Sequence, residues 1–254
     1  MKELVSTVKE VKKTADNTYA LTVVLPESVG EIKGGQFLNI ATGDNSRLLK
    51  RPFGMVRAQG NEITVCFQVK GDGTKALANV KNGEKLNVLL PLGNGFNIPE
   101  TAKNIVVIGG GVGIFPLVPV INGGKEKKFY SYIGFRNKDC ACLLNEFEKS
   151  EKLTVVTDDG SLGAKDNAVN AYFADIGNVP ADLIIACGPP VMLRALKKKL
   201  VENGVKTPCL VSLEERMGCG IGACLVCVCK KADGSNARVC KDGPVFDINE
   251  VCLD

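Results

Sequence analysis

The chain contains no histidine. That absence removes histidine general bases, histidine-containing triads, histidine-ligated zinc, haem held through histidine and Rieske centres together. Chemistry here must run on cofactors or on thiols. Charge of one sign is scarce as well: 32 Lys and Arg against 28 Asp and Glu leave a formal +4. With no basic tract interleaved with aromatics, a nucleic-acid partner is not expected. The longest basic run, Lys197 to Lys199, lies on a predicted helix whose apolar side is Leu193, Leu196 and Leu200, and it reads as a solvated face. The N-terminus, MKELVSTVKEVKKTADN, lacks the apolar core of a signal peptide. One uncharged stretch, Ile105 to Ile121, approaches the length of a membrane span, but it holds four glycines and two prolines. A phosphate-binding turn is the better reading, and no membrane association is expected. Internal repeats and low-complexity linkers are missing too.

Cysteine is what the chain has in excess. Eleven cysteines without a secretion signal point to a reducing, cytoplasmic compartment, and the odd count argues against a complete disulfide framework. Cys219, Cys224 and Cys227 are spaced C-x4-C-x2-C, and Cys240 follows after a short insert. This is the plant-type ferredoxin spacing, in which three thiolates from one loop and a distant fourth hold a [2Fe–2S] cluster. Gly218, Gly220 and Gly222 sit beside these ligands, where the backbone must curl tightly. The rival is a structural zinc site, since four thiolates suit zinc equally; zinc ligands usually pair as C-x2-C and C-x2-C, unlike these. Cys229, two residues past Cys227, is a spare or alternative ligand. Cys66, Cys140, Cys142, Cys209 and Cys252 have no partner pattern and read as structural.

A chain of 254 residues, 45% hydrophobic and 24% charged, has room for two modest globular domains and a small appended module. In the first hundred residues, Tyr19–Leu25, Gln36–Ala41, Glu62–Val69 and Lys85–Leu90 are strand-like and separated by turn signals, which suggests a small antiparallel barrel. After Pro99 the pattern changes. Ile105–Ile108, Phe129–Gly134, Leu153–Thr157, Leu183–Ala186 and Cys209–Leu213 are short apolar runs with helical segments between most of them, the mark of a parallel α/β sheet. A helix from Val191 to Glu202 is delimited by Pro189-Pro190 and Gly204. From Glu214 the cysteine module begins.

Three turns carry further chemistry. VVIGGGVGIFP places Gly110, Gly111 and Gly113 straight after the first α/β strand, as G-x-G-x-x-P, where glycines let the backbone approach a pyrophosphate. ACGPPVML puts Cys187, Gly188 and Pro189 at the end of the fourth α/β strand. Cys187 there is either a small polarizable wall beside a nicotinamide or a buried thiol acting as a small hydrophobe. In the barrel half, Arg51-Pro52-Phe53-Gly54 follows the basic stretch Arg47 to Lys50, and an arginine beside a rigid proline can clamp a phosphate or bond a flavin edge. Downstream, Val69, Lys70, Gly73 and Thr74 belong to a glycine turn suited to a pyrophosphate. Taken singly, each of these is also read as an ordinary turn.

Taken in order along nearly the whole chain, RPFG, VKGDGT, PLGNGF, IGGGVGIFPL, TDDGS, CGPPVML and ERMGCGIGAC…RVCKDGPVF resemble one family. It is that of the electron-transfer subunits of NAD-dependent (type B) dihydroorotate dehydrogenases, within the ferredoxin–NADP reductase superfamily. The resemblance implies a six-stranded antiparallel FAD-binding barrel over residues 1–100, a Rossmann-like parallel α/β NAD-binding domain over 101–213, and a [2Fe–2S] lobe over 214–254. Arg51, Pro52, Phe53 and Gly54 match the family's flavin motif, Cys66, Phe67 and Gln68 fall on a strand that touches the cofactor, and Gly73 and Thr74 match its diphosphate turn. Cys219, Cys224, Cys227 and Cys240 match the cluster ligands. Gly54 departs from the serine usual in the family, which puts fine tuning of the flavin in question.

The implied role is an electron-transfer subunit. It passes electrons from the FMN of a separate catalytic subunit, which oxidises dihydroorotate to orotate in pyrimidine synthesis, through cluster and FAD to NAD⁺. The implied assembly holds two copies of each subunit. One rival is a subunit exchanging electrons between NAD(P)H and ferredoxin or sulfur species. Another, of a different class, is a non-catalytic redox sensor or zinc-stabilised binding module. Arg136 leaves NADP open, whereas Asp139, Asp158 and Asp159 at comparable strand ends favour the free ribose of NAD.

Overall fold

The computed structural model describes residues 1–43, 48–124 and 126–253; Arg47, which opens the basic stretch ahead of Arg51, lies outside them. The first six strands are β1 (Lys2–Ala15), β2 (Thr18–Val24), β3 (Phe37–Ile40), β4 (Arg51–Gln59), β5 (Glu62–Gln68) and β6 (Lys85–Leu92). They close into an antiparallel barrel in the order β1-β2-β5-β4-β3-β6. Alternation builds its interior: Ile63, Val65 and Phe67 of β5 point in, beside Leu21, Val23, Leu38 and Val88, while Cys66 faces out against the next domain.

Two of these strands carry no strand pattern in the sequence. Of fourteen residues in β1 only Ser6 and Val8 are buried. Its lysines face solvent, and backbone ladders to β2 and β6 hold it. β4 opens with Arg-Pro-Phe-Gly, which reads as a breaker; it pairs with β3 from Arg51 to Gly54 and then with β5 beyond.

The second sheet has seven strands in the order β10-β9-β8-β7-β11-β12-β15, the last being Val245–Asp247. Six of them are parallel: β7 (Asn104–Gly110), β8 (Lys128–Phe135), β9 (Lys152–Thr157), β10 (Ala164–Lys165), β11 (Leu183–Cys187) and β12 (Cys209–Ser212). Central strands β7 and β11 are buried along both faces, which is why their sequences read as unbroken apolar runs. The run Ile105–Ile121 is therefore β7, a 3₁₀ helix over Gly111–Leu117 and the start of a short helix, Val118–Gly123. Among the described residues no helix is long and apolar enough to cross a membrane. The helix Pro190–Glu202 packs Leu193, Leu196 and Leu200 inward. Its basic run is only partly a solvated face. Lys198 is exposed, but the Lys197 ammonium donates to the Val251 carbonyl at 2.8 Å and that of Lys199 sits over the Phe173 ring.

The C-terminal segment adds a hairpin of β13 (Val228–Lys230) and β14 (Asn236–Arg238), a short helix, Val239–Asp242, and β15 (Val245–Asp247), which pairs antiparallel with β12. Its core is continuous with its neighbours: Cys227, Val239, Cys240 and Phe246 share one buried cluster with Phe37 and Leu92 of the barrel and with Ile184 and Val211 of the sheet. On the opposite side, Arg57 of β4 bonds buried Glu146 at 2.6 Å, tying barrel to α/β layer.

Candidate functional site

A cavity of about 270 Å³ lies where barrel, sheet and C-terminal lobe meet. Pro52, Phe53 and Gly54 of β4 line it, with Cys66, Phe67 and Gln68 of β5 and Lys70 and Thr74 of the turn that follows. Cys187, at the end of β11, forms part of the opposite wall. The barrel motifs and one α/β motif thus face one space. Arg51 lies beside it, its guanidinium stacked so closely on Gly73 that a Cβ there would fall 2.4 Å from Nε. Glycine leaves room for the arginine in this position. The Thr74 hydroxyl accepts from the amides of Lys70 at 2.9 Å and Gly71 at 3.1 Å, which fixes the turn. Val69 is not brought to the cavity; its amide donates to the Asn17 carbonyl and its side chain packs on the barrel core.

The glycine loop after β7 contributes side chains and backbone differently. Val112, Phe115 and Pro116 line the cavity, whereas Gly110, Gly111 and Gly113 shape the turn. A Cβ on Gly113 would meet the Cys187 carbonyl at 2.5 Å, and one on Gly110 the Met192 sulfur at 2.6 Å with Pro189 behind it. The two α/β motifs therefore pack backbone to backbone, with Gly188 against Gly113. Gly111 has φ +54° and nothing within 4 Å of its missing Cβ, an open backbone face that a ligand can approach. The winding here is 3₁₀; Pro116, inside this turn, has no N–H to donate.

Cys187 is buried, 1% exposed, and lines the cavity. Burial, then the nearby Glu214 carboxylate, push its thiol far above the ordinary range, so it is neutral. Cys66 is likewise held as a thiol, pushed up to about 12 by burial and then by Cys142. Glu214 and Glu215, with Ser212, Leu213 and Met217, complete the floor just beyond β12. Sequence reasoning missed these, and missed Phe37 of β3; for Ser212 to Glu215 the one signal was position, at the carboxyl end of a parallel strand. Although Glu214 still reaches solvent, the crowding cleft walls raise its carboxyl pKa, offset in part by Lys70.

The cysteine loop adjoins this cleft through Met217. All four predicted ligands accept backbone N–H groups. Cys219 Sγ receives the amides of Ile221, Ala223 and Cys224 at 3.3–3.4 Å, and Cys240 Sγ that of Gly222 at 3.1 Å. Cys224 Sγ receives Cys219 N–H, and Cys227 Sγ receives Cys240 N–H, both at 3.4 Å. Burial raises the Cys219 thiol, but these amides outweigh it and hold the group at about 6. Such a loop is possible because Gly220 and Gly222 have φ +75° and +84°. Arg238 braces it, with a two-pronged pair to Asp242 at 2.9 Å and a longer bond to the Gly222 carbonyl. Four thiols wrapped in donor amides fit an iron–sulfur cluster. Cys229 lies apart on β13, opposite Ala237.

The architecture is that of the reductases that couple a pyridine nucleotide to an iron–sulfur centre. A solved NADH-dependent reduced ferredoxin–NADP oxidoreductase superposes with a TM-score of 0.86 at 28% identity, over 98% of this chain and 90% of that one. Phthalate dioxygenase reductase shares the fold at a TM-score of 0.68 and 15% identity, over 98% of this chain and 77% of its own. The model of the iron–sulfur cluster binding domain of dihydroorotate dehydrogenase B matches residues 214–252. The electron transfer subunit of dihydroorotate dehydrogenase B (NAD(+)) from Caldanaerobacter subterraneus subsp. tengcongensis is 41% identical over 85% of this chain and 86% of its own. The Bacillus pumilus subunit of the same name is 34% identical over 100% of this chain and 99% of its own. The chain belongs to the family of dihydroorotate dehydrogenase B electron transfer subunits.

Proposed function

We propose that this chain takes electrons from an FMN-containing dihydroorotate dehydrogenase catalytic subunit and delivers them to NAD⁺, serving the oxidation of dihydroorotate to orotate. The observation that carries this is the cleft in which Pro52-Phe53-Gly54, the strand Cys66–Gln68, the turn at Thr74 and Cys187 converge, with Arg51 beside it and the four-cysteine loop alongside. We assign FAD to the barrel, residues 1–100, NAD to residues 101–213, and one [2Fe–2S] cluster to the lobe 214–254. FAD supplies a centre able to exchange one electron or two, and the cluster supplies a one-electron relay.

The chain's own residues bind, orient and exclude. Arg51, held over Gly73, offers a fixed cation to a diphosphate or flavin edge, with the Thr74 turn beneath it. Phe37, Phe53 and Phe67 make an apolar wall against water. Gly111 gives a nicotinamide dinucleotide close access to backbone, Gly110 and Gly113 let the turn pack closely behind it, and the neutral Cys187 thiol, with Gly188 and Pro189, borders the same space. Cys219, Cys224, Cys227 and Cys240 ligate iron. The acidic residues Asp158 and Asp159 at the end of β9 favour NAD over NADP. The chain offers no site assigned to dihydroorotate, so the catalytic subunit is an obligate partner, in an assembly with two copies of each. A cytoplasmic location agrees with eleven cysteines of which none is paired in a disulfide.

An anaerobic visible spectrum, recorded before and after NADH, tests the reading. Flavin bands with a broad iron–sulfur shoulder, bleaching on NADH, are expected; a colourless zinc protein, or a flavin indifferent to NADH, would overturn it. A second reading, an NAD(P)H–ferredoxin oxidoreductase subunit, draws support from the 0.86 TM-score likeness. Co-purification with an FMN subunit that reduces NAD⁺ from dihydroorotate separates the two.

A further inference from the structure

Asn39 is an oddity of the barrel wall. It lies on β3, directly across from Pro52 of the RPFG motif on one side and from Leu89 on the other. Its side chain is buried, 1% exposed, and points away from the barrel core toward the cysteine loop. Nδ2 reaches the Cys219 carbonyl at 3.4 Å, long for an amide donor, while Oδ1 has no partner. Gly220, the next residue, lies flat on the same carboxamide: a Cβ on it would fall 2.3 Å from Nδ2. Phe37, on the same face of β3, lines the cleft and shares a buried cluster with Cys227 and Cys240.

A buried carboxamide with an unpartnered oxygen is less stable than an apolar side chain of like volume. Packing alone gives no reason for asparagine at this place. What asparagine does, and leucine cannot, is hold the Cys219–Gly220 peptide by its carbonyl. The amides of Ile221, Ala223 and Cys224, which follow that peptide, are the ones aimed at Cys219 Sγ. Hydrogen bonds to the sulfurs are among the determinants of an iron–sulfur potential, each donor favouring the reduced, more negative state.

We propose that Asn39 is a positioning residue for the iron–sulfur centre: by fixing the Cys219–Gly220 peptide against the flavin-motif strand, it aims the amide donors at Cys219 and so sets the cluster's reduction potential. This rests on the cluster and flavin assignments above.

The test compares wild type, Asn39→Leu and Asn39→Asp, each purified with flavin and iron loaded, by potentiometric titration followed with electron paramagnetic resonance. Asn39→Asp keeps the shape and exchanges the donor for an oxygen. Both variants should show a cluster harder to reduce by three- to tenfold, about 30 to 60 mV for one electron, and a changed resonance signal. The rate at which NADH bleaches the flavin should stay within twofold of wild type. If Asn39→Leu takes up no cluster, Asn39→Asp decides by the same criteria. Wild-type potentials, or loss of the cluster from both variants with flavin retained, would leave Asn39 a packing residue and overturn the proposal. A wild-type protein with no iron–sulfur signal would instead sink the cluster reading itself.

Discussion

The cysteine loop and the cleft beside it are built on opposite plans. In the loop, four thiols lie between residues 219 and 240, and backbone amides from the same loop and its neighbouring helix surround them. Its requirements are local: spacing, and two glycines at positive φ. The cleft collects side chains from Gly35 to Pro244, drawn from barrel, sheet and lobe. No short segment of sequence contains it. A site of the first kind is specified by its own residues and fails when one donor is lost. A site of the second kind is specified by the fold, spreads its binding over many contacts, and should fail by degrees.

The largest effect is therefore expected at a buried ligand. Cys227→Ser removes a sulfur that is 2% exposed and accepts the Cys240 amide, and should abolish iron binding and iron–sulfur absorbance while flavin stays. Cys229→Ser should leave both. Iron retained by Cys227→Ser but lost with Cys229→Ser would transfer the ligand role to Cys229 and break the account of the loop as a fixed four-cysteine frame.

That frame was legible because spacing is a one-dimensional property. So were the arginine–proline and glycine–threonine turns, and the central strands, whose double burial writes unbroken apolar runs such as Ile105–Ile108 and Leu183–Ala186. β1 was not legible because its lysines face water and its partners are backbone groups. β4 was hidden by Pro52 and Gly54, which a strand tolerates here because neighbouring structure holds the backbone. Phe37 and Met217 were missed for a different reason: an apolar wall residue has no signature apart from the fold that aims it. Asn39 shows the limit most clearly, since its contact with Cys219 spans 180 positions.

An intermediate effect is expected at Arg51, the charged side chain beside the cleft. Arg51→Ala deletes the guanidinium that Gly73 makes room for. Hydrogen bonds to charged groups contribute about 1.5–3 kcal/mol, so FAD affinity measured by fluorescence titration should fall roughly ten- to hundredfold. The cluster spectrum should not change. Loss of iron from this variant would mean that the two sites stand or fall together.

The smallest effect sharpens the contrast between a glycine that lines the cleft, Gly54, and one beside it, Gly73. At Gly73 a side chain would run into the arginine at 2.4 Å, and the close approach is part of the site. At Gly54 the backbone is outside the positive-φ region, and a Cβ would meet Pro116 at 3.4 Å from its Cβ and 3.6 Å from its Cδ, ordinary contact distances. Gly54→Ser, which installs the residue usual in the family, should thus keep flavin and alter stability by no more than about 0.5 kcal/mol, read as a shift in the urea midpoint. Gly54 lines the cleft, so whatever the new hydroxyl changes should appear in the flavin potential rather than in binding. If Gly54→Ser instead expelled the flavin, the cleft would be as unforgiving as the cysteine loop, and the idea that a distributed site yields by degrees would not hold for this molecule.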